Sequence, residues 1–97
     1  MDSTREYINL LSDFKARRGV IYGIDRLGIF GSVARGEQTL KSDIDIYYEG
    51  QALSLFKLAA LKDELENLLH CPVDIVRFRE VMNLMLKKRI QQEGIYV

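Results

Sequence analysis

Two short groups of residues stand out for the chemistry their types permit. The first is Phe30-Gly31-Ser32-Val33-Ala34-Arg35-Gly36, which follows an apolar run of Leu27, Ile29 and Phe30 that reads as a buried strand. Gly31 has no Cβ, so the backbone there can turn sharply and approach a ligand closely. Ser32 adds a hydroxyl and a first-turn N–H. Free N–H groups at a helix start, at the positive end of its dipole, attract phosphate. The second group is Ser42-Asp43-Ile44-Asp45-Ile46, which alternates strictly. On a strand, Asp43 and Asp45 share one face while Ile44 and Ile46 share the other. The isoleucines anchor the strand, so the carboxylates are held in place. Two carboxylates side by side repel unless a positive charge sits between them. An oxygen-only ligand set suits Mg²⁺ or Mn²⁺ rather than a Cys/His metal. A phosphate cradle a few residues from such carboxylates implies transfer chemistry on a nucleotide phosphate. The plain alternative is a tight glycine turn followed by a strand with two exposed acids.

Other residues in this region have two readings each. Arg35 suits a phosphate contact or an ion pair with a nearby acid. Ser42 can orient Asp43 through its hydroxyl or cap the loop. Lys41 can reach a triphosphate or stand in solvent. Tyr47 shares the Asp43/Asp45 face and either stacks on a base or packs. Further along, Asp74 interrupts the apolar run Val73-Asp74-Ile75-Val76. A buried carboxylate there needs a partner, whereas an edge-strand aspartate faces water. His70 has no partner nearby in sequence and is read as a helix-end residue, not a ligand or base.

The elements that must position these residues are short and regular. Ser3-Thr4-Arg5-Glu6 fits a capping box, and Tyr7, Leu10, Leu11 and Phe14 recur at helical spacing. Gly19 suits the position after a helix end, which predicts a first helix over 4–18. A strand follows over 26–30, then a short helical segment over 32–36, a polar loop over 37–42 and a strand over 43–48. Leu58, Leu61, Leu65 and Leu68 form an amphipathic stripe capped by Ser54 and stopped by Cys71-Pro72. A third strand over 73–77 and a last helix over 80–93 complete the pattern, with a β-prone tail after Gly94. The order of elements predicts an α/β domain with a small twisted, mixed sheet. Helices pack mainly on one side, and the carboxylate face is left open on the other.

Composition narrows the setting. A chain of 97 residues is expected to form one domain, 1–97, with 47% hydrophobic residues enough for a small core. Fourteen Lys and Arg balance fourteen Asp and Glu, so no global charge favours nucleic acid or a membrane surface. The N-terminus lacks the apolar run of a signal peptide, and no stretch approaches the ~20 apolar residues of a membrane span. One cysteine, Cys71, cannot form an internal disulfide. These features fit a cytoplasmic protein.

The pattern Gly31-Ser32-x-Ala34-Arg35-Gly36, five residues, then Ser42-Asp43-x-Asp45 resembles the signature of polymerase-β-like nucleotidyltransferases. More closely, it resembles the minimal nucleotidyltransferases, short bacterial and archaeal chains that are often antitoxin partners of HEPN-domain proteins. The resemblance implies the polymerase-β-like nucleotidyltransferase fold, and Asp74 matches the third carboxylate that completes the family's metal site beside Asp43 and Asp45. It implies two Mg²⁺ ions and ATP as substrate, with Gly31 and Ser32 at the phosphates and Arg35 and Ser42 nearby. It further implies transfer of AMP to a hydroxyl, with a tyrosine of a HEPN-type helical partner as the expected acceptor. A homodimer and a hetero-oligomer are both compatible. An alternative is an antitoxin that neutralises its partner by binding alone. A transferase acting on small hydroxylated molecules would need an acceptor domain for which the sequence leaves little room.

Overall fold

The computed structural model describes residues 3–37 and 43–97. Lys41 and Ser42, singled out above, lie outside the described residues. Helix α1 spans Thr4–Tyr22 and is capped by Ser3, whose Oγ accepts the Glu6 N–H at 3.2 Å. It runs a full turn beyond the end expected at Arg18. Gly19 lies buried inside the helix, and Gly23, at φ 64°, provides the left-handed cap. A glycine inside a helix costs about 1 kcal/mol relative to alanine. Here tertiary contacts offset that cost. Tyr22 is buried, and Glu64 accepts from Arg18 Nε at 2.9 Å, from Arg18 Nη2 at 3.1 Å and from the Tyr22 hydroxyl.

Strand β1 (Ile24–Phe30) leads directly into the short helix α2 (Gly31–Ala34). Strand β2 (Ile44–Gly50) runs antiparallel to β1, with Ile29 opposite Ile46 and Phe30 opposite Asp45. Helix α3 (Leu55–Leu69) then returns the chain to strand β3 (Val73–Arg77), which lies parallel to β2 with Asp45 opposite Asp74. Helix α4 (Leu84–Glu93) and the short strand β4 (Ile95–Tyr96) finish the chain, and the sheet order is β3-β2-β1-β4.

The period of two along β2 sorts its side chains. Ile44, Ile46 and Tyr48 enter the main core with Leu11 and Phe14 of α1 and Leu61, Leu65 and Leu69 of α3. Asp45 and Tyr47 take the opposite face. That face is not wholly open, because Ile90 of α4 packs on Phe30 and Tyr47, with Phe78, Met82 and Leu86 alongside. Tyr47 is 1% exposed, and its ring meets those of Phe30, Phe78 and Tyr96 at centroid distances of 5.9, 6.5 and 5.1 Å. It packs, and has no free face for a base. Burial first, then Tyr96 and Glu49, pushes its hydroxyl up to about 12.

Helix α4 starts later than the expected residue 80. Asn83 caps it, its Oδ1 accepting the Leu86 N–H at 3.0 Å. Val81, Leu84 and Met85 consequently face solvent, and Leu86 and Ile90 face the sheet. No helix among the described residues is long and apolar enough to cross a membrane.

The Glu64 clasp between α1 and α3 yields a stability prediction. Hydrogen bonds from Arg18 and Tyr22 hold the Glu64 carboxyl below its ordinary value. Its contribution is therefore present above the unfolded value of about 4.3 and is lost as pH falls through the lower folded value. Because the pair is partly exposed, Glu64→Gln should cost on the order of 0.5–1 kcal/mol at pH 7. The deficit should shrink in urea melts as pH falls below the unfolded value, because wild type then progressively loses the same charge.

Candidate active site

The site lies at one end of the sheet, where β1 passes into α2 and β2 begins. Gly31 has φ 75°, a conformation that L side chains rarely adopt. A Cβ at this position would also collide with the Asp45 carboxylate and lie 3.4 Å from Arg89 Nη2. The absence of a side chain thus leaves room directly beside an acid. Short-range bonds fold α2 back on itself: Arg35 N–H to Gly31 C=O at 3.2 Å, Gly36 N–H to Val33 C=O at 3.1 Å and Glu37 N–H to Ser32 C=O at 2.8 Å. Thr4 Oγ1 donates to Val33 C=O at 2.6 Å and ties α2 to the start of α1. Ser32 is half-buried, and among the described residues its hydroxyl makes no hydrogen bond.

The structure brings the three predicted aspartates to one side of the sheet. Asp43 stands exposed just before β2, one residue outside the strand expected to contain it. Asp45 is half-buried. Asp74 lies opposite it on the edge strand β3. Asp74 is exposed, so the water-facing edge reading holds for its burial, although paired residues on parallel strands share a face. Burial raises the Asp45 carboxyl above its ordinary value. Asp74, Asp43 and Glu93 add to the rise, and Arg89 opposes it. Among the described residues, no three potential ligands are gathered tightly enough to hold a metal ion. The donor chemistry still fits a hard divalent cation: oxygen-only ligands, like charges crowded on adjacent strands, and space beside Gly31.

Arg35 pairs with acids. Its Nε lies 2.9 Å from Glu37 Oε2 and its Nη1 lies 2.8 Å from Glu93 Oε1. Two further residues at the site come from α4: Glu93, which the sequence reading does not single out, and Arg89, which it reads only within the basic cluster Lys87-Lys88-Arg89, a solvated face or charge for a partner or a nucleotide. Glu93 accepts the Gly31 N–H at 3.2 Å, and Arg89 stacks over Phe30 with its Cζ 5.5 Å from the ring centre. Their spacing of four residues puts them on one flank of a helix. That signal becomes useful only once Leu86 and Ile90 are known to face the sheet.

The sequence pattern described as "Polymerase beta, Nucleotidyltransferase" matches residues 21–97. The chain belongs to the polymerase-β nucleotidyltransferase family. It is 38% identical over 100 residues to a candidate protein adenylyltransferase of Methanocaldococcus jannaschii, a match spanning 100% of both chains. It is 32% identical over 98 residues to "Protein adenylyltransferase MntA" of Thermococcus cleftensis, covering 100% of this chain and 98% of the relative. Among solved structures, a toxin–antitoxin with AMP-PNP superposes with a TM-score of 0.75 at 26% identity, covering 91% of this chain and 69% of that one. A candidate minimal nucleotidyltransferase superposes with a TM-score of 0.72 at 31% identity, covering 97% and 95%. The chain is thus a nucleotidyltransferase, and its fold is that of the minimal members.

The electrostatics of this nucleotidyltransferase site predict a conflict between stability and function. A raised Asp45 value means that the folded state holds the proton more tightly than the unfolded chain. Stability therefore falls as pH rises through the folded value. Asp45→Asn removes that penalty. It should raise Tm at pH 7 by about 2–4 °C, equivalent to ~0.5 kcal/mol, and remove Asp45's share of the loss of stability with rising pH in thermal melts. A lower Tm for the variant would contradict the electrostatic account.

Proposed function

We propose that this nucleotidyltransferase is an Mg²⁺-dependent protein adenylyltransferase that moves AMP from ATP to a tyrosine hydroxyl of a HEPN-type helical partner, and so acts as an antitoxin. The observation that carries the reading is the register Phe30–Asp45–Asp74 across three strands, which sets two acids beside the Gly31 turn. Relatives named protein adenylyltransferase support the reaction class, and the toxin–antitoxin neighbour with AMP-PNP supports the nucleotide and a toxin as partner.

In this reading Gly31 N–H and Ser32 hold the β- and γ-phosphates, with Arg35 nearby once its acid partners release it. Asp43, Asp45 and Asp74 hold the divalent cations. Bound metal supplies charge neutralisation at the phosphates and lowers the pKa of the acceptor hydroxyl. Asp74, exposed on the edge strand, takes the hydroxyl proton of the incoming acceptor. The acceptor oxygen forms a bond to the α-phosphorus, the bond from that phosphorus to the bridging β-phosphate oxygen breaks, and pyrophosphate leaves. The acceptor surface comes from the partner, because the described segments are used by the sheet and its covering helices.

Asp74→Asn separates binding from chemistry. With radiolabelled ATP and a HEPN-type partner, the variant should lose label transfer by on the order of 10²–10⁴-fold, while nucleotide binding changes little. Equal transfer by the variant would remove Asp74 from the reaction. Chelation of divalent cations should abolish transfer by wild type.

A further inference from the structure

The carboxylate of Glu93 sits where the proposed function puts phosphate. Gly31 N–H donates to Glu93 Oε2 at 3.2 Å, and Arg35 Nη1 donates to Glu93 Oε1 at 2.8 Å. A backbone amide and a guanidinium are the donors a phosphate oxygen takes, and a carboxylate competes for the same pair. The chain's own side chain therefore fills the anion seat beside Asp45. One turn earlier on α4, Arg89 points its Nη2 to within 3.4 Å of the place where a Gly31 Cβ would stand. Its guanidinium lies over the face of Phe30. That contact leaves the N–H edge uncommitted, and among the described residues Arg89 makes no ion pair within 4 Å.

A triphosphate cannot share the Gly31 N–H with Glu93. It must displace the carboxylate, and like charges then drive the two apart. Arg89 lies beside the same glycine, on the same flank of the helix as Glu93, and among the described residues it forms no ion pair within 4 Å. The influence of both residues on the Asp45 carboxyl, in opposite directions, is consistent with this placement.

We propose that Arg89 and Glu93 set nucleotide affinity at this site with opposite signs: Arg89 is a triphosphate-positioning residue, and Glu93 holds the phosphate seat until the nucleotide takes it. The inference rests on the reading of Gly31 and Ser32 as the phosphate cradle. It is tested by calorimetric titration of the full chain with AMP-PNP and Mg²⁺. Arg89→Ala should weaken binding about tenfold, the loss of one charge-assisted contact, and Arg89→Lys should recover part of it. Glu93→Gln keeps the shape of the side chain, removes the competing charge and should tighten binding severalfold. Arg89 is exposed, so Arg89→Ala should leave Tm within about 2 °C, which separates lost contact from lost fold. Wild-type binding with both variants unchanged, or weaker binding by Glu93→Gln, would overturn this inference and leave the cradle reading standing. Failure of wild type to bind AMP-PNP would overturn both.

Discussion

Asp45 and Asp74 are held side by side on neighbouring strands against their own repulsion, and the geometry of the site depends on that constraint. The restraint comes from the far side of the sheet. Ile44 and Ile46 flank Asp45 and are 1% and 0% exposed in the core beneath. A slip of one residue in β2 would send both isoleucines to the site and Asp45 into the core, at a cost of several kcal/mol, since burying a Val- or Ile-sized side chain is worth about 1.5–3 kcal/mol. Hydrophobic packing on one face thus fixes charge on the other. In the proposed reading, a divalent cation would relieve that repulsion.

The C-terminal helix gives the site its asymmetry. Leu86 and Ile90 place α4 over the Tyr47 end of the carboxylate face and leave the Asp43 end accessible. The same placement delivers Arg89 and Glu93 to the Gly31 turn. The sheet face is thereby apolar and covered at one end and charged at the other. The closed end holds Tyr47 against three aromatic neighbours, and the open end holds the acids. In the proposed reading, a partner would reach the acids without unpacking α4.

How much of this was legible in the sequence depends on the range of the interaction. The Gly31 turn and the Asp43/Asp45 alternation are local, since glycine freedom and the period of two act over a few residues; the turn and Asp45 are where the pattern puts them, and Asp43 falls one residue before the strand. The fold class followed from the order of elements. The end of α1 did not, because two glycines compete for the cap and the winner is chosen by Tyr22 and Arg18 reaching Glu64, far away in sequence. Asp74 was conspicuous as an acid in an apolar run, but its exposure depends on β3 lying at the sheet edge. The placement of Arg89 and Glu93 at the Gly31 turn was hidden for a related reason. Several apolar positions in that segment can face the sheet, and packing selects Leu86 and Ile90 over Leu84 and Met85.

The most direct test of the account is the intact mass of a HEPN-type partner co-expressed with this chain or with its Asp43→Ala/Asp45→Ala form, each incubated with ATP and Mg²⁺. The account predicts that the partner gains the mass of AMP beside the wild-type chain and not beside the double variant. Capture of the partner by both forms, with no change of mass in either, would contradict transfer and leave a binding antitoxin on a nucleotidyltransferase fold.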